Sequence, residues 1–265
     1  MERLMVIKLD AAGCTAEAWL NGLPVARVTP LAPHAAVSVH EAALAGANRL
    51  ELVIGPDDGT LAAAALLETA PHPMAAQVHL LLPRVNSWID EAQARTLARL
   101  DWSCAAGEPL KLPVRRLMDA DLPIRFPRWR WLDAPVAHVT PGLAREVHDF
   151  VAGLARDLAR GQTESFMAAT RLRTEELATA YQRSPETEAL RLRDWLDQMY
   201  ASSCLVWQPL APEELQLRPL AGGRLLECLG SGGRAALTTV PDKSGNTLAL
   251  PLKLSVVEGA FYVLR

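Results

Sequence analysis

Cysteine, lysine and aromatic residues are all scarce in this chain of 265 residues. The four cysteines (Cys14, Cys104, Cys204 and Cys228) have no close pairing, so neither a disulfide framework nor a Cys-x-x-Cys metal or redox motif is present. In a chain of this length they are expected to be free thiols in a reducing compartment, which makes the bacterial cytoplasm the expected location. Only Lys8, Lys111, Lys243 and Lys253 are lysines, so arginine supplies nearly all of the 27 basic residues. Against 30 acidic residues they leave a net charge of −3, and no global field points to nucleic acid or an anionic membrane. No apolar run reaches the roughly 18 residues of a membrane span. The opening MERLMVIKLD lacks the basic start and long apolar stretch of a signal peptide and is read as a first strand.

Motifs of common chemistries are missing too. There is no Gly-x-x-x-x-Gly-Lys loop, no Gly-x-Gly-x-x-Gly and no Gly-x-Ser-x-Gly elbow. LGSGGR at 229–234 lies between two strand patterns without a following helix, so it is expected to be a hairpin tip rather than a phosphate cradle. His34, His40, His72, His79, His138 and His148 form no His-x-His or His-x-x-x-His pair, and no metal and no cofactor are expected. His40 and His79 fall on the polar side of strand patterns and are read as solvated.

What is present divides the chain. Half of the residues are hydrophobic and 22% are charged, enough to bury real cores, and the length suits two domains. In the first part Leu50, Leu52 and Ile54 alternate with polar neighbours, as do Val37 and Val39. Asn21-Gly22 and Asp58-Gly59 sit between apolar runs as hairpin turns. Further strands are predicted over 3–9, 77–82, 95–103 and 111–117. Short strands separated by turns predict an antiparallel β-sandwich over 1–118. Six prolines between 109 and 141 predict an extended connector over 119–139.

From 140 onward the period changes. Thr140 caps a helix that has Pro141 at its first position, with an apolar stripe of Leu143, Val147, Phe150, Leu154 and Leu158, and Gly161 closes it. One or two helices follow over 163–182. Another starts at Ser184-Pro185 and carries Leu192, Trp195, Leu196 and Met199. Alternation then returns at Leu215 and Leu217 and runs from Leu248 to Val256 as one long strand, with a tight turn at Glu258-Gly259. The fold class is therefore α+β overall: an N-terminal antiparallel β-sandwich, then helices packed on a curved antiparallel sheet over 140–265.

The closing LALPLKLSVVEGAFYVLR, after three or four helices, resembles the NTF2-like (cystatin-like) superfamily. That likeness implies a cavity between helices and sheet, with His148, Tyr181, Trp195 and Tyr200 as pocket candidates and Asp149 turned to solvent. In the first half, Trp19-Leu20-Asn21-Gly22 followed by Gly46-Ala47-Asn48-Arg49-Leu50 resembles the jelly-roll domains that accompany sugar-acting enzymes. It implies an architecture, with Trp19 expected in the core rather than on a carbohydrate platform.

One segment is out of proportion to the rest. RFPRWRW, 125–131, places three arginines and two tryptophans in seven residues of a chain that is 5% aromatic. A nucleic-acid site would use the arginines on phosphates and the rings on bases, but one Pro-broken segment is a small footprint. Trp and Arg are enriched at protein-binding hot spots. The favoured reading is an inter-domain seam in which Phe126, Trp129 and Trp131 fill apolar gaps while Arg128 and Arg130 stack on rings or pair with acids. The missing motifs predict a non-catalytic protein whose partner is another protein. The alternatives are a small-molecule binder or enzyme using the C-terminal cavity, and carbohydrate binding by the sandwich.

Overall fold

The computed structural model describes residues 4–55, 66–83, 94–122, 125–202, 206–208, 210–243 and 245–265. The Asp58-Gly59 turn and Cys204 lie outside them. The fold is α+β, and the chain divides into two compact units, Met1–Arg128 and Trp129–Arg265.

The first unit contains β1 (Val6–Ala12), β2 (Thr15–Leu20), β3 (Leu23–Val28), β4 (His34–Ser38), β5 (Gly46–Gly55), β6 (Leu66–Thr69), β7 (Met74–Leu82), β8 (Arg95–Cys104), β9 (Pro109–Leu112) and β10 (Val114–Leu122). They form two four-stranded antiparallel sheets, in the orders β4-β1-β7-β8 and β10-β5-β2-β3, with β6 and β9 as a separate ladder. β1 packs across β2 and β3. The side-chain period of two sends Ile7 and Leu9 of β1, Ala16, Ala18 and Leu20 of β2, and Leu50, Leu52 and Ile54 of β5 into the space between the sheets, where all are buried. The Asn21-Gly22 turn joins β2 to β3 with φ of 55° and 78°, the double left-handed conformation of a tight hairpin.

The two asparagines of the jelly-roll-like stretches meet. Asn21 Nδ2 donates to Asn48 Oδ1 at 2.7 Å, and Asn48 also accepts from the Leu44 amide and donates to the Leu44 and Gly46 carbonyls. Asn21 Oδ1 accepts from the Arg49 amide at 2.9 Å. These residues brace a hairpin against the entry to β5. Trp19 is half-buried, and its indole N–H donates to Glu17 at 2.9 Å.

The second unit holds α1 (Pro141–Ala159), α2 (Glu164–Ala169), α3 (Arg171–Ala180) and α4 (Pro185–Ser202), then β11 (Gln216–Leu220), β12 (Leu225–Leu229), β13 (Leu237–Thr238), β14 (Ala249–Leu250), β15 (Lys253–Val257) and β16 (Ala260–Val263). Thr140 Oγ1 accepts from the Leu143 amide at 3.1 Å, so α1 begins where its cap predicts. The antiparallel sheet runs β11-β12-β15-β16. Val147, Val151, Leu154 and Leu158 of α1 pack with Leu196 of α4 and with Cys228, Leu254 and Val263 of the sheet. Glu258-Gly259 turns β15 into β16 with φ of 51° and 78°.

Three expectations change. The strand expected from Leu248 to Val256 is broken at Pro251, which has no N–H for a ladder: β14 pairs with β13, while β15 pairs with β12 and β16. His40 and His79 are buried, not solvated. His40 lies in a one-turn 3-10 helix after β4 and accepts the Met5 amide at 2.7 Å. The segment expected as a connector over 119–139 is partly strand, because β10 runs to Leu122, and the boundary between the units falls within RFPRWRW.

Candidate functional site

A concave feature of the first unit lies against the β4-β1-β7-β8 sheet, where three rows of residues are in register across the strands and the second and third rows line the depression. In the first row Lys8, His79 and Arg99 are opposite one another, in the second His34, Asp10, Gln77 and Asp101, and in the third Ala12, Ala75 and Ser103. Residues opposite each other in a sheet hold their Cβ atoms roughly 5 Å apart, so each row is a continuous strip. The short side chains of the third row make the depression, which encloses about 500 Å³ and is lined also by Trp102 and by Arg116 of β10.

The middle row is tied together. His34 Nδ1 lies 2.7 Å from Asp10 Oδ1, Gln77 Nε2 donates to Asp10 Oδ2 at 3.3 Å, and Lys8 Nζ stands 3.4 Å from the same oxygen. Arg99 donates to both oxygens of Asp101, at 2.8 and 2.9 Å. Partial burial alone would raise the pKa of Asp10, but the His34 hydrogen bond and the Lys8 charge hold it below the ordinary carboxylate value. The Arg99 hydrogen bonds hold Asp101 below its ordinary value as well. Both groups are therefore carboxylates at neutral pH, each with a neighbouring cation that cancels most of its field. Beside the β1–β2 turn, His72 Nε2 is 3.0 Å from the Gly13 carbonyl. Gly13 has φ of 67°, and a Cβ on it would come within 2.7 Å of the His72 ring, so glycine is required there.

RFPRWRW is divided between the units. Phe126 is half-buried, its ring centroid 5.3 Å from that of His40, and Arg128 is exposed. Trp129 and Trp131 are 1% and 2% exposed. Around them the start of the second unit closes onto α3. The Arg130 amide donates to Glu176 Oε1 at 2.6 Å, and its guanidinium reaches Glu175 at 2.8 Å and the Leu172 carbonyl at 3.2 Å. Buried Glu176 also pairs with the guanidinium of Arg265, which stands 5.5 Å above the Trp129 ring. Trp129 and Arg130 are thus engaged with residues of their own unit, and the two indoles present almost no surface.

The structure holds the four pocket candidates in separate environments. His148 Nε2 donates to the Leu210 carbonyl at 2.9 Å, at the edge of the core, while Asp149 is exposed. Tyr181 follows α3 with the Arg183 guanidinium 5.5 Å from its ring. Trp195 is 36% exposed, and Leu196 takes the buried position on α4 instead. Tyr200 joins α4 to α1 by donating to the Leu158 carbonyl at 2.5 Å and accepts from the Trp207 indole at 3.2 Å. Burial raises its pKa. Between helices and sheet, Val151, Leu154, Phe166, Leu196, Trp207 and Leu254 form a continuous core.

Cys14, Cys104 and Cys228 are free and buried. Burial pushes the thiol of Cys14 up to about 11 and that of Cys228 up to about 12, opposite to the shift a reactive thiolate needs. Among the described residues no three His, Cys, Asp or Glu side chains come together in a group able to hold a metal, and no helix is long and apolar enough to cross a membrane.

Comparison of the chain with protein-family models, with curated proteins and with solved structures finds no match to any of them. The functional reading therefore rests on the chemistry of the groove.

The groove was not reached from the sequence. Its signal is the set of outward-facing triplets, Lys8-x-Asp10-x-Ala12, Ala75-x-Gln77-x-His79 and Arg99-x-Asp101-x-Ser103, which become a site only once the register aligns them.

Proposed function

We propose that this chain is a non-catalytic binding protein whose N-terminal sandwich takes an uncharged polyhydroxylated ligand, a carbohydrate, in the groove across β4, β1, β7 and β8. The observation that carries this reading is the cross-strand row His34, Asp10, Gln77 and Asp101 above a floor of Ala12, Ala75 and Ser103. Vicinal hydroxyls each donate one hydrogen bond and accept others, so they need carboxylate acceptors and amide or guanidinium donors within a few ångströms. Asp10 and Asp101 supply the acceptors, Gln77 and Arg116 the donors, and Ser103 either. Because Lys8 and Arg99 lie against the two carboxylates, each acid's charge is locally opposed, and the groove offers many directed partners to a neutral ligand.

The same groups support binding without turnover. Glycoside hydrolysis commonly uses one carboxyl group that stays protonated near neutral pH beside a second that does not. Asp10 and Asp101 are both shifted toward the ionised form, which favours acceptor roles over a general acid.

The test is titration of the full chain with a panel of neutral mono- and oligosaccharides, followed by calorimetry and amide chemical shifts. At least one saccharide is expected to bind and to shift β1, β7 and β8 resonances, with Asp10→Asn and Gln77→Ala each weakening it about tenfold, on the order of 1.4 kcal/mol. Absence of any shift at about 10 mM saccharide, roughly tenfold above a Kd of 1 mM, would sink the proposal.

A protein partner is the second reading, favoured by Leu117 and Met118 of β10, which are 57% and 38% exposed. No ligand is proposed for the helix–sheet space of the second unit, where Val151, Leu154, Phe166, Leu196, Trp207 and Leu254 belong to one buried cluster.

A further inference from the structure

β10 is an edge strand. It pairs with β5 on one side, and among the described residues no strand pairs with its other side. Arg115 to Asp119 are exposed along β10, and at about 3.4 Å per residue they offer roughly 17 Å of strand to another strand, while β8 of the other sheet also lies close to β10. Natural proteins usually blunt such an edge with proline or like charges. Here the outward face of β10 carries Arg115, Leu117 and Asp119, opposite Val53, Glu51 and Arg49 of β5. All three β10 residues are exposed, Leu117 at 57%.

That triplet is complementary to itself when reversed. Two antiparallel copies of β10, related by a two-fold axis perpendicular to the sheet at Leu117, keep their outward faces on the same side. Leu117 then meets Leu117 of the second copy, and Arg115 meets Asp119 of the second copy at both ends. The charges already present on β5 extend the pattern. Asp119 accepts from Arg49 at 2.8 Å, and Arg115 stands 3.6 Å from Glu51. Across the joined strands the charge order becomes Arg49, Asp119, Arg115 of the second copy, Glu51 of the second copy: alternating signs, with an apolar contact at the centre.

We propose that the chain forms a homodimer through antiparallel pairing of β10 with β10 of a second copy, centred on Leu117, which joins two four-stranded sheets into one of eight strands. The proposal does not rest on the carbohydrate reading: Arg115, Leu117 and Asp119 do not line the groove, although their neighbour Arg116 does. A single strand-to-strand contact buries less area than an obligate interface, so the dimer is concentration-dependent.

Sedimentation equilibrium of the full chain is expected to show a mass rising with concentration from 28.8 kDa toward twice that value. Arg115→Asp and Asp119→Arg each place like charges opposite one another at both ends of the contact, and each is expected to remain monomeric while its circular dichroism matches the parent. Mixed in equal amounts, the two variants restore opposite charges at every position and are expected to regain the doubled mass. Leu117→Lys, at an exposed position, must also abolish the dimer, and it stands in if Asp119→Arg, which sets a new cation against Arg49, fails to fold. A parent chain that stays at the monomer mass throughout, or folded variants that dimerise unmixed, overturns the proposal. So does a mixture of folded variants that stays monomeric.

Discussion

At the residue scale, stability and the proposed binding site both involve polar groups whose partners come from distant parts of the chain. Asn48 is 3% exposed and engages Asn21, Leu44 and Gly46. Asn48→Ala leaves buried amide and carbonyl groups unpaired and is expected to cost about 3 kcal/mol, read from the urea midpoint. Glu176 accepts from the Arg130 amide and pairs with Arg265. Glu176→Gln removes the negative charge opposite the buried Arg265 guanidinium, with an expected loss of about 3 kcal/mol in the same measurement. In the groove, Asp10 and Asp101 have folded-state pKa values below their unfolded value of 3.8. Their ion pairs therefore stabilise the fold at pH above 3.8 and lose that contribution as pH falls through the lower folded values. Saccharide affinity is expected to fall once pH drops through that range and the two carboxylates are protonated, as calorimetry across pH would show. The buried thiols have the opposite sign. With folded values of about 11 for Cys14 and about 12 for Cys228 against 9.0 unfolded, both stay protonated at pH 8. Iodoacetamide is expected to spare them in the native chain and label them in denaturant, which peptide mass spectrometry resolves.

At the scale of elements, short-range chemistry decides where helices and hairpins begin, and apolar periodicity decides which face they bury. α1 starts at Thr140 because its hydroxyl accepts the Leu143 amide. Thr140→Ala is expected to lower the thermal midpoint by an amount equivalent to about 1 kcal/mol. The stripe predicted for α1 is the one that packs, with Val151 joining Val147, Leu154 and Leu158. On α4 the same reading selected Trp195 and Leu196 together, and only Leu196 is buried. Neighbours in sequence stand about 100° apart on a helix, so one of the two has to turn toward solvent.

At the scale of the molecule, the boundary at Trp129 makes the second unit longer than its helices alone imply. Trp129 and Trp131 pack within it, and burial of a tryptophan side chain is worth about 3–5 kcal/mol. A fragment of residues 129–265 is expected to unfold cooperatively in urea, whereas one of residues 140–265, which lacks both indoles, is expected to be several kcal/mol less stable or to lose its cooperative transition. Equal stability of the two fragments would show that the segment contributes nothing to the core.

What the sequence by itself determined is local. The Asn21-Gly22 and Glu258-Gly259 turns, the cap at Thr140, the run of helices and the period-two strands all depend on residues within about four positions of each other, where backbone preference and spacing act directly. Tertiary structure alone decided the rest. Gln77 meets Asp10 across 67 positions and His34 meets it across 24, so the groove exists only through strand register, which the pattern of one strand does not contain. His40 and His79 look polar by phase but are buried. For His40 the cause is a distant amide, that of Met5, which takes its ring nitrogen as an acceptor. For RFPRWRW the sequence left seam and surface as alternatives; its partners are Glu176, 46 positions from Arg130, and Arg265, which stands over Trp129 and pairs with Glu176 across 89 positions. Local chemistry sets the elements; which side chains share a face is set by the register and packing of elements far apart in the chain.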